Sequence, residues 1–320
     1  MYKITSFFLI AFISVLLFAG CSSPAVDYYH RIQPAPKASG FHMEGWFVWG
    51  GSPIRVGDTY YLFASRWPDS TGFPQGYRTH SEIVLASAED PLGPYQFRKV
   101  IIGEREPGYW DSGMAHNPTI HKIGDRYVLF YIGSDEGSAY RQIGYATAPA
   151  VTGPWTRSDQ PIDFGRDANN PAVYAEPDGS VKMMWRGKNL RVFLATTPDF
   201  SGPYTIRNDN VWPDTRLEDF YLFRRGGLYH MVCEDNQGEV TGHDRWGAHF
   251  VSDDGIHGWR PAEQVVFYDH TIRWDDGTVL QCERRERPQL LMDARGNVEY
   301  LFTSVLSRGK TWCQVVPLEK

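Results

Sequence analysis

Short apolar runs broken by Gly, Asp, Asn and Pro fill the chain after Phe41. The clearest unit lies between Asp111 and Tyr131. A polar approach ends in Asn117-Pro118, a strand is predicted over 119–122, and Gly124-Asp125 turns the chain into an aromatic-rich strand over 127–131. A Gly-Asp pair between apolar runs is a hairpin signal. Proline cannot donate to a sheet ladder, so it belongs at a strand's first residue or on an edge. One such hairpin cannot bury its own apolar face, and copies do recur. Ser52-Pro53 leads to Gly57-Asp58 and a strand over 60–63; Asn170-Pro171 leads to Asp178-Gly179 and 181–185. Glu218-Asp219-Phe220, with Phe in place of Pro, leads to Gly226-Gly227 and 228–232; Arg287-Pro288 leads to Gly296-Asn297 and 298–302. Behind the first three lies a second element: Ala86-Ser87 with Gly93-Pro94-Tyr95, Ala146-Thr147 with Gly153-Pro154-Trp155, Ala195-Thr196 with Gly202-Pro203-Tyr204.

The copies return about every 59 residues between Pro53 and Pro288, which suits one four-stranded propeller blade per repeat. The pattern predicts an all-β fold, a five-bladed β-propeller with four antiparallel strands per blade, over 41–320. The fifth repeat shows strands near 289–292, 298–305 and 312–316, one short of four. The segment 41–47 is expected to supply the missing strand, so that both chain ends close one blade.

The first twenty residues read differently. Lys3 and the apolar run from Phe7 to Phe18 form a signal peptide over 1–20, too short for a comfortable membrane span. Leu17-Phe18-Ala19-Gly20-Cys21 resembles a bacterial lipobox, which implies cleavage before Cys21, lipidation of its thiol and attachment to the cell envelope. Residues 21–40, with Pro24, Pro34, Pro36 and Ser39, read as a tether. Cys233, Cys282 and Cys313 remain, enough for at most one bridge and without metal-ligand spacing. The net charge of −6 argues against nucleic acid as a partner. The wealth of aromatic residues suits blade packing and also sugar stacking.

In a propeller the starts of the innermost strands converge on one central opening. Here they bring together Ser52, Asn117, Asn170, Asp219 and Arg287, with His116, Glu218 and Glu286 as neighbours. These strand starts and the Gly-Pro-aromatic ends resemble the five-bladed glycoside hydrolases of family 43 and its relatives in families 32, 68, 117 and 130. His116-Asn117-Pro118, Glu218-Asp219-Phe220 with Tyr229-His230, the 252–257 turn and Arg285-Glu286-Arg287-Pro288 carry the resemblance. It implies an exported glycoside hydrolase acting on plant or algal poly- or oligosaccharides from chain ends. Family 43 members usually carry an Asp at the first strand start and often an acid at the third. Ser52 and Asn170 stand there, so the carboxylates are expected from other blades.

Glycoside cleavage uses one protonated carboxyl and one ionised carboxylate. Asp219 and Glu286 are the expected pair, with Glu218, Asp111 and Glu234 in reserve. Arg285 and Arg287 flank Glu286, and nearby cations lower a carboxyl pKa; Glu286 is therefore expected as the base and Asp219 as the acid. His116, Asn117, Asn170 and Arg287 are expected to bind sugar hydroxyls or a carboxylate. Trp49, Trp67 and Trp185 are expected to stack on a ring, and His249 to face the funnel or the core. No metal or cofactor is called for; a structural calcium in the funnel is compatible with the sequence but not indicated. The protein is expected to be a monomer touching membrane only through its lipid. Two other readings fit the sequence: a glycan-binding surface lipoprotein that does not cut, and a sugar phosphorylase.

Overall fold

Each sequence repeat forms one antiparallel sheet. The computed structural model describes residues 26–319 apart from 137, 139, 214 and 215; the leader 1–20 and Cys21 lie outside the described residues. Blade one holds β1 (Trp46–Val56), β2 (Thr59–Pro68), β3 (Glu82–Ala88) and β4 (Gln96–Ile102). Blade two holds β5 (Met114–Ile123), β6 (Arg126–Ser134), β7 (Gln142–Ala148) and β8 (Thr156–Arg157). Blade three holds β9 (Asn169–Ala175), β10 (Val181–Arg186), β11 (Val192–Thr197) and β12 (Thr205–Asn208). Blade four holds β13 (Leu217–Arg225), β14 (Leu228–Asp235), β15 (Gly247–Ser252) and β16 (Arg260–Tyr268). A hairpin of β17 (Thr271–Arg273) and β18 (Val279–Gln281) leads to blade five, β19 (Arg284–Met292), β20 (Val298–Ser307) and β21 (Lys310–Pro317). Among the described residues the α-helices are two single turns, α1 (Tyr28–Arg31) and α2 (Tyr77–His80).

The aromatic and branched residues of the repeats meet between blades. Phe63 and Ile83 of blade one pack with Leu129 and Tyr131 of blade two. Leu62 and Val84 on the other face of blade one pack with Phe302 and Val315 of blade five. Trp185 belongs to this packing and not to a sugar platform. It is fully buried between blades two and three, stacked on Phe164 at 4.0 Å and Phe193 at 5.5 Å. His249 is also core. It lies on the third strand of blade four, away from the funnel, shares a 2.9 Å hydrogen bond with His230 and meets Tyr28 edge-on. Cys233, Cys282 and Cys313 are buried free thiols.

The tether expectation for 21–40 is corrected from Val26 onward. Tyr28 is buried against Phe267 and Phe223, Ala35 is buried beside Trp274, and Ile32 and Phe41 bridge to Leu318 and Cys313. An open strand edge invites pairing. The segment 32–41 covers the open side of β21, so the fourth position of blade five is filled by isolated bridges at Ile32 and Phe41, which meet the expected 41–47 only at its first residue; 46 and 47 belong to β1.

Every innermost strand carries a bulge at its motif. Two residues, Asn117-Pro118, face one on the neighbouring strand, as do Asn170-Pro171, Asp219-Phe220 and Arg287-Pro288. The first residue of each pair has left-handed backbone, φ 50, 54, 56 and 56°. Asn and Asp tolerate that region better than most residues. In blade one the bulge is Gly50-Gly51, with Gly50 at φ 61°. Gly50, not Ser52, is thus the structural counterpart of Asn117. Ser52 lies past the bulge and links three blades, its Oγ donating to Gln289 and accepting from the Ile120 amide.

Two stability outcomes follow. A Cβ on Gly50 would come within 2.8 Å of Asn117 Oδ1, whereas one on Gly57, at the same φ, meets nothing within 4 Å. Gly57→Ala is expected to lose about 1 kcal/mol from the backbone alone. Gly50→Ala should lose clearly more by urea unfolding, and equal losses would contradict the close approach. His249 is held neutral: burial, then His230 beside it, push its pKa down to about 3. Below about 6.5 the unfolded chain takes up a proton that the folded chain refuses, so stability falls as pH drops through that window. Between pH 8 and 5 the wild type should lose more stability than His249→Gln.

Candidate active site

The bulge residues form a ring across the propeller axis. Asn117 Nδ2 donates to Asn170 Oδ1 at 2.8 Å, Asn170 Nδ2 donates to Asp219 Oδ1 at 2.6 Å, and Arg287 reaches the same oxygen at 3.4 Å. Gly50 closes the ring against Asn117. Adjacent strand residues face opposite ways, so the residue before each ring member faces elsewhere. Those residues are Trp49, His116, Asn169, Glu218 and Glu286, one per blade, and all five line one cavity of about 190 Å³. Asn117, Asn170 and Asp219 form part of its lining too.

Aromatic residues build one wall. The β2–β3 connection brings Phe73, Pro74, Tyr77 and Arg78 to the cavity beside Trp49 and Trp67. Phe73 stacks on Trp67 at 6.0 Å, and Tyr77 stacks on His116 at 4.6 Å. His116 Nδ1 is hydrogen-bonded to Ser81 Oγ at 2.8 Å. Burial and the nearby Arg287 and Arg141 push its pKa well below the usual value, leaving a neutral imidazole at neutral pH.

Carboxylates and guanidinium groups build the opposite wall. Asp219, Glu234 and Glu286 each bring an oxygen within 4.8 Å of the others. Arg245 Nη1 lies between two of them, 2.7 Å from Glu234 and 3.0 Å from Glu286. It places a positive charge beside this trio. Glu218 pairs with Arg186 at 3.0 Å. Burial dominates the titration of the group. It pushes Glu286 up to about 7, helped by Asp219 and opposed by Arg284 and Arg245. Glu234 is raised well above its ordinary value by burial, then by Glu286 and Asp219. Glu218 is raised by burial and by Asp219.

The expected depression of Glu286 by Arg285 and Arg287 is overturned. Both point away from it. Arg285 donates to Thr303 and to the carbonyls of Asp269 and Thr271, and Arg287 turns to Asp219. The cations that do face Glu286 are Arg284, two residues back on the same strand face, and Arg245 from a distant loop. Asp111 is removed from the reserve carboxylates. It is buried in blade two with Arg105 at 3.0 Å, Arg157 at 3.6 Å and the Tyr131 hydroxyl at 2.7 Å, and it does not line the cavity. Sequence reasoning missed Arg186, Arg245, Arg284, Asn169 and the 73–78 wall. Arg284 was findable, since residues two apart on a strand share a face. Arg245 had no such signal.

No protein-family profile and no curated protein sequence matches the chain. Solved structures do. A family 43 β-xylosidase/α-arabinofuranosidase from a compost microbial metagenome, in complex with xylotriose, is 15% identical with a TM-score of 0.65 over 88% of this chain and 94% of its own. A family 43 enzyme from Xanthomonas citri complexed with xylose is 16% identical with a TM-score of 0.66 over 91% of each chain. A family 117 glycoside hydrolase from the marine bacterium Zobellia galactanivorans is 14% identical with a TM-score of 0.62 over 90% and 89%. At such low identity the likeness concerns the fold: the chain has the five-bladed β-propeller architecture of these glycoside hydrolases.

Proposed function

We propose that the protein is a glycoside hydrolase that removes units from the ends of plant or algal oligo- or polysaccharides. One observation carries this reading. A buried carboxyl with its pKa near 7, Glu286, lies beside a second carboxylate, Asp219, at the end of a cavity of about 190 Å³. General acids work best with a pKa near the working pH. Glu286 is therefore the acid that protonates the leaving oxygen, and Asp219 the carboxylate that attacks or activates water. These roles are the reverse of those expected from the sequence. After proton loss, Arg245 and Arg284 stabilise the Glu286 anion. Where Asp219 attacks the sugar, Glu286 takes its proton back from the water that then releases the glycosyl group; where Asp219 activates water, Asp219 takes that water's proton and Glu286 is reprotonated from solvent. Neutral His116 and Asn117 orient sugar hydroxyls, and the half-buried Phe73 and Tyr77 offer apolar faces; Trp67, expected as a sugar platform, is fully buried behind them against Phe47 and Phe73. Export and attachment through a lipidated Cys21 belong to the same proposal, with N-terminal mass spectrometry of the membrane fraction as its check.

A non-cutting glycan binder is the second reading. It draws on the ring, where Gly50, Asn117 and Asn170 carry no carboxyl. The assay is product release from a panel of plant and algal oligosaccharides. Glu286→Gln and Asp219→Asn should each lower turnover by roughly a hundredfold or more while sugar binding persists. Wild-type activity should fall as pH rises through about 7, where Glu286 loses its proton. Binding without product from any glycan would replace hydrolysis by the binding reading. Near-full activity in both variants would reject the pair.

A further inference from the structure

The charge of the cavity runs against the charge of the chain. The protein carries a net charge of −6, yet Arg78, Arg186, Arg245 and Arg284 line the site, each from a different part of the ring. Against them stand Glu218, Asp219 and Glu286 in the lining. Behind the lining, Glu234 and Arg287 offset each other. If hydrolysis requires one of the three carboxyls to be protonated, four guanidinium groups face two negative charges.

The four arginines are not equally engaged. Arg245 is held by Glu234 and Glu286, and Arg186 by Glu218. Arg284 has only a 3.4 Å contact with Glu286, and its side chain is 36% exposed. Arg78 is exposed, and the contact found for it is with the Tyr77 ring, 6.0 Å from the guanidinium carbon. Arg284 likewise lies over Phe73, at 5.7 Å. Phe73 and Tyr77 both pack on Trp67. The two least engaged arginines thus belong to the same aromatic wall. Arginine, rather than lysine, matches a planar or tetrahedral oxyanion with two parallel N–H donors.

We propose that the sugar unit bound here carries an anionic group, the carboxylate of a uronic acid or a sulfate ester, and that Arg284 and Arg78 hold it. This rests on the cavity being the sugar site. Arg186 and Arg245 offset the charge of the carboxylates they pair with, and the aromatic wall takes the apolar face of the ring.

The test is calorimetric binding of free sugars, which are not hydrolysed, to the full protein at low salt. D-galacturonate, D-glucuronate and D-galactose 6-sulfate are compared with D-galactose and D-glucose. At least one charged sugar should bind about tenfold tighter or more than its neutral counterpart, a difference of about 1.4 kcal/mol. Preference for the uronates identifies a carboxylate, and preference for the 6-sulfate a sulfate ester. Arg284→Gln and Arg78→Gln should each reduce the preference while leaving weak neutral-sugar binding. Arg78 touches no carboxylate of the site, so its variant separates charge recognition from disturbance of Glu286. Neutral sugars bound as tightly as charged ones, no binding of any charged sugar, or an unchanged preference in both variants overturns the inference. Product release from neutral oligosaccharides in that case keeps hydrolysis standing without it.

Discussion

The site depends on a backbone device repeated in every blade. A two-residue bulge with left-handed geometry at its first position turns one side chain across the axis and aims the preceding one into the cavity. Five bulges make two tiers. The lower tier is Gly50, Asn117, Asn170, Asp219 and Arg287, tied by side-chain hydrogen bonds and close packing. The upper tier holds the groups that can do chemistry. Left-handed backbone costs free energy at non-glycine residues, and the packed blades on either side hold it in place. Blade one meets the constraint with glycine because Asn117 leaves no room for a Cβ.

Electrostatics follow from that geometry. Convergence of the strand starts buries Asp219 and Glu286 and brings the half-buried Glu218 close to them, with buried Glu234 added from the end of β14. Carboxylates crowded in this way cannot all remain ionised without cations. Arg186, Arg245, Arg284 and Arg287 each pair with at least one of them. The compensation is incomplete at Glu286, whose burial and proximity to Asp219 outweigh two guanidinium groups. That imbalance holds the Glu286 carboxyl near 7, as its proposed role as proton donor requires.

Much of this was legible in the sequence. Xaa-Pro before a strand and a glycine turn after it are local requirements of the fold, so blades two, three and five announce themselves. Blade one misleads by two residues. Ser52-Pro53 imitates the motif, while the bulge is Gly50-Gly51, whose glycines carry no side chain to mark it. Convergence does bring Asp219 and Glu286 into one cavity, but the arginines next to Glu286 in sequence are not its spatial neighbours, so the roles proposed for the pair are the reverse of those expected. Arg285 and Arg287 leave Glu286, and Arg245 arrives from 41 residues away in the chain. Trp185 and His249 stand at or near strand ends like site residues, and only the packing of Trp185 between two blades and of His249 against His230 and Tyr28 shows them to be core. The segment after Val26 looked like a tether by composition; Tyr28 and Ala35 dock it.

The most direct test of this account is the titration of the Glu286 carboxyl itself. With ¹³C-labelled glutamate and Glu286→Gln to assign the resonance, the carboxyl signal can be followed by NMR from pH 4 to 9. The account predicts a midpoint near 7, well above the ordinary glutamate value of about 4.3. A midpoint at or below that ordinary value would contradict it. Glu286 would then be a charged partner of Arg245 and Arg284 and no source of the proton that glycoside cleavage requires.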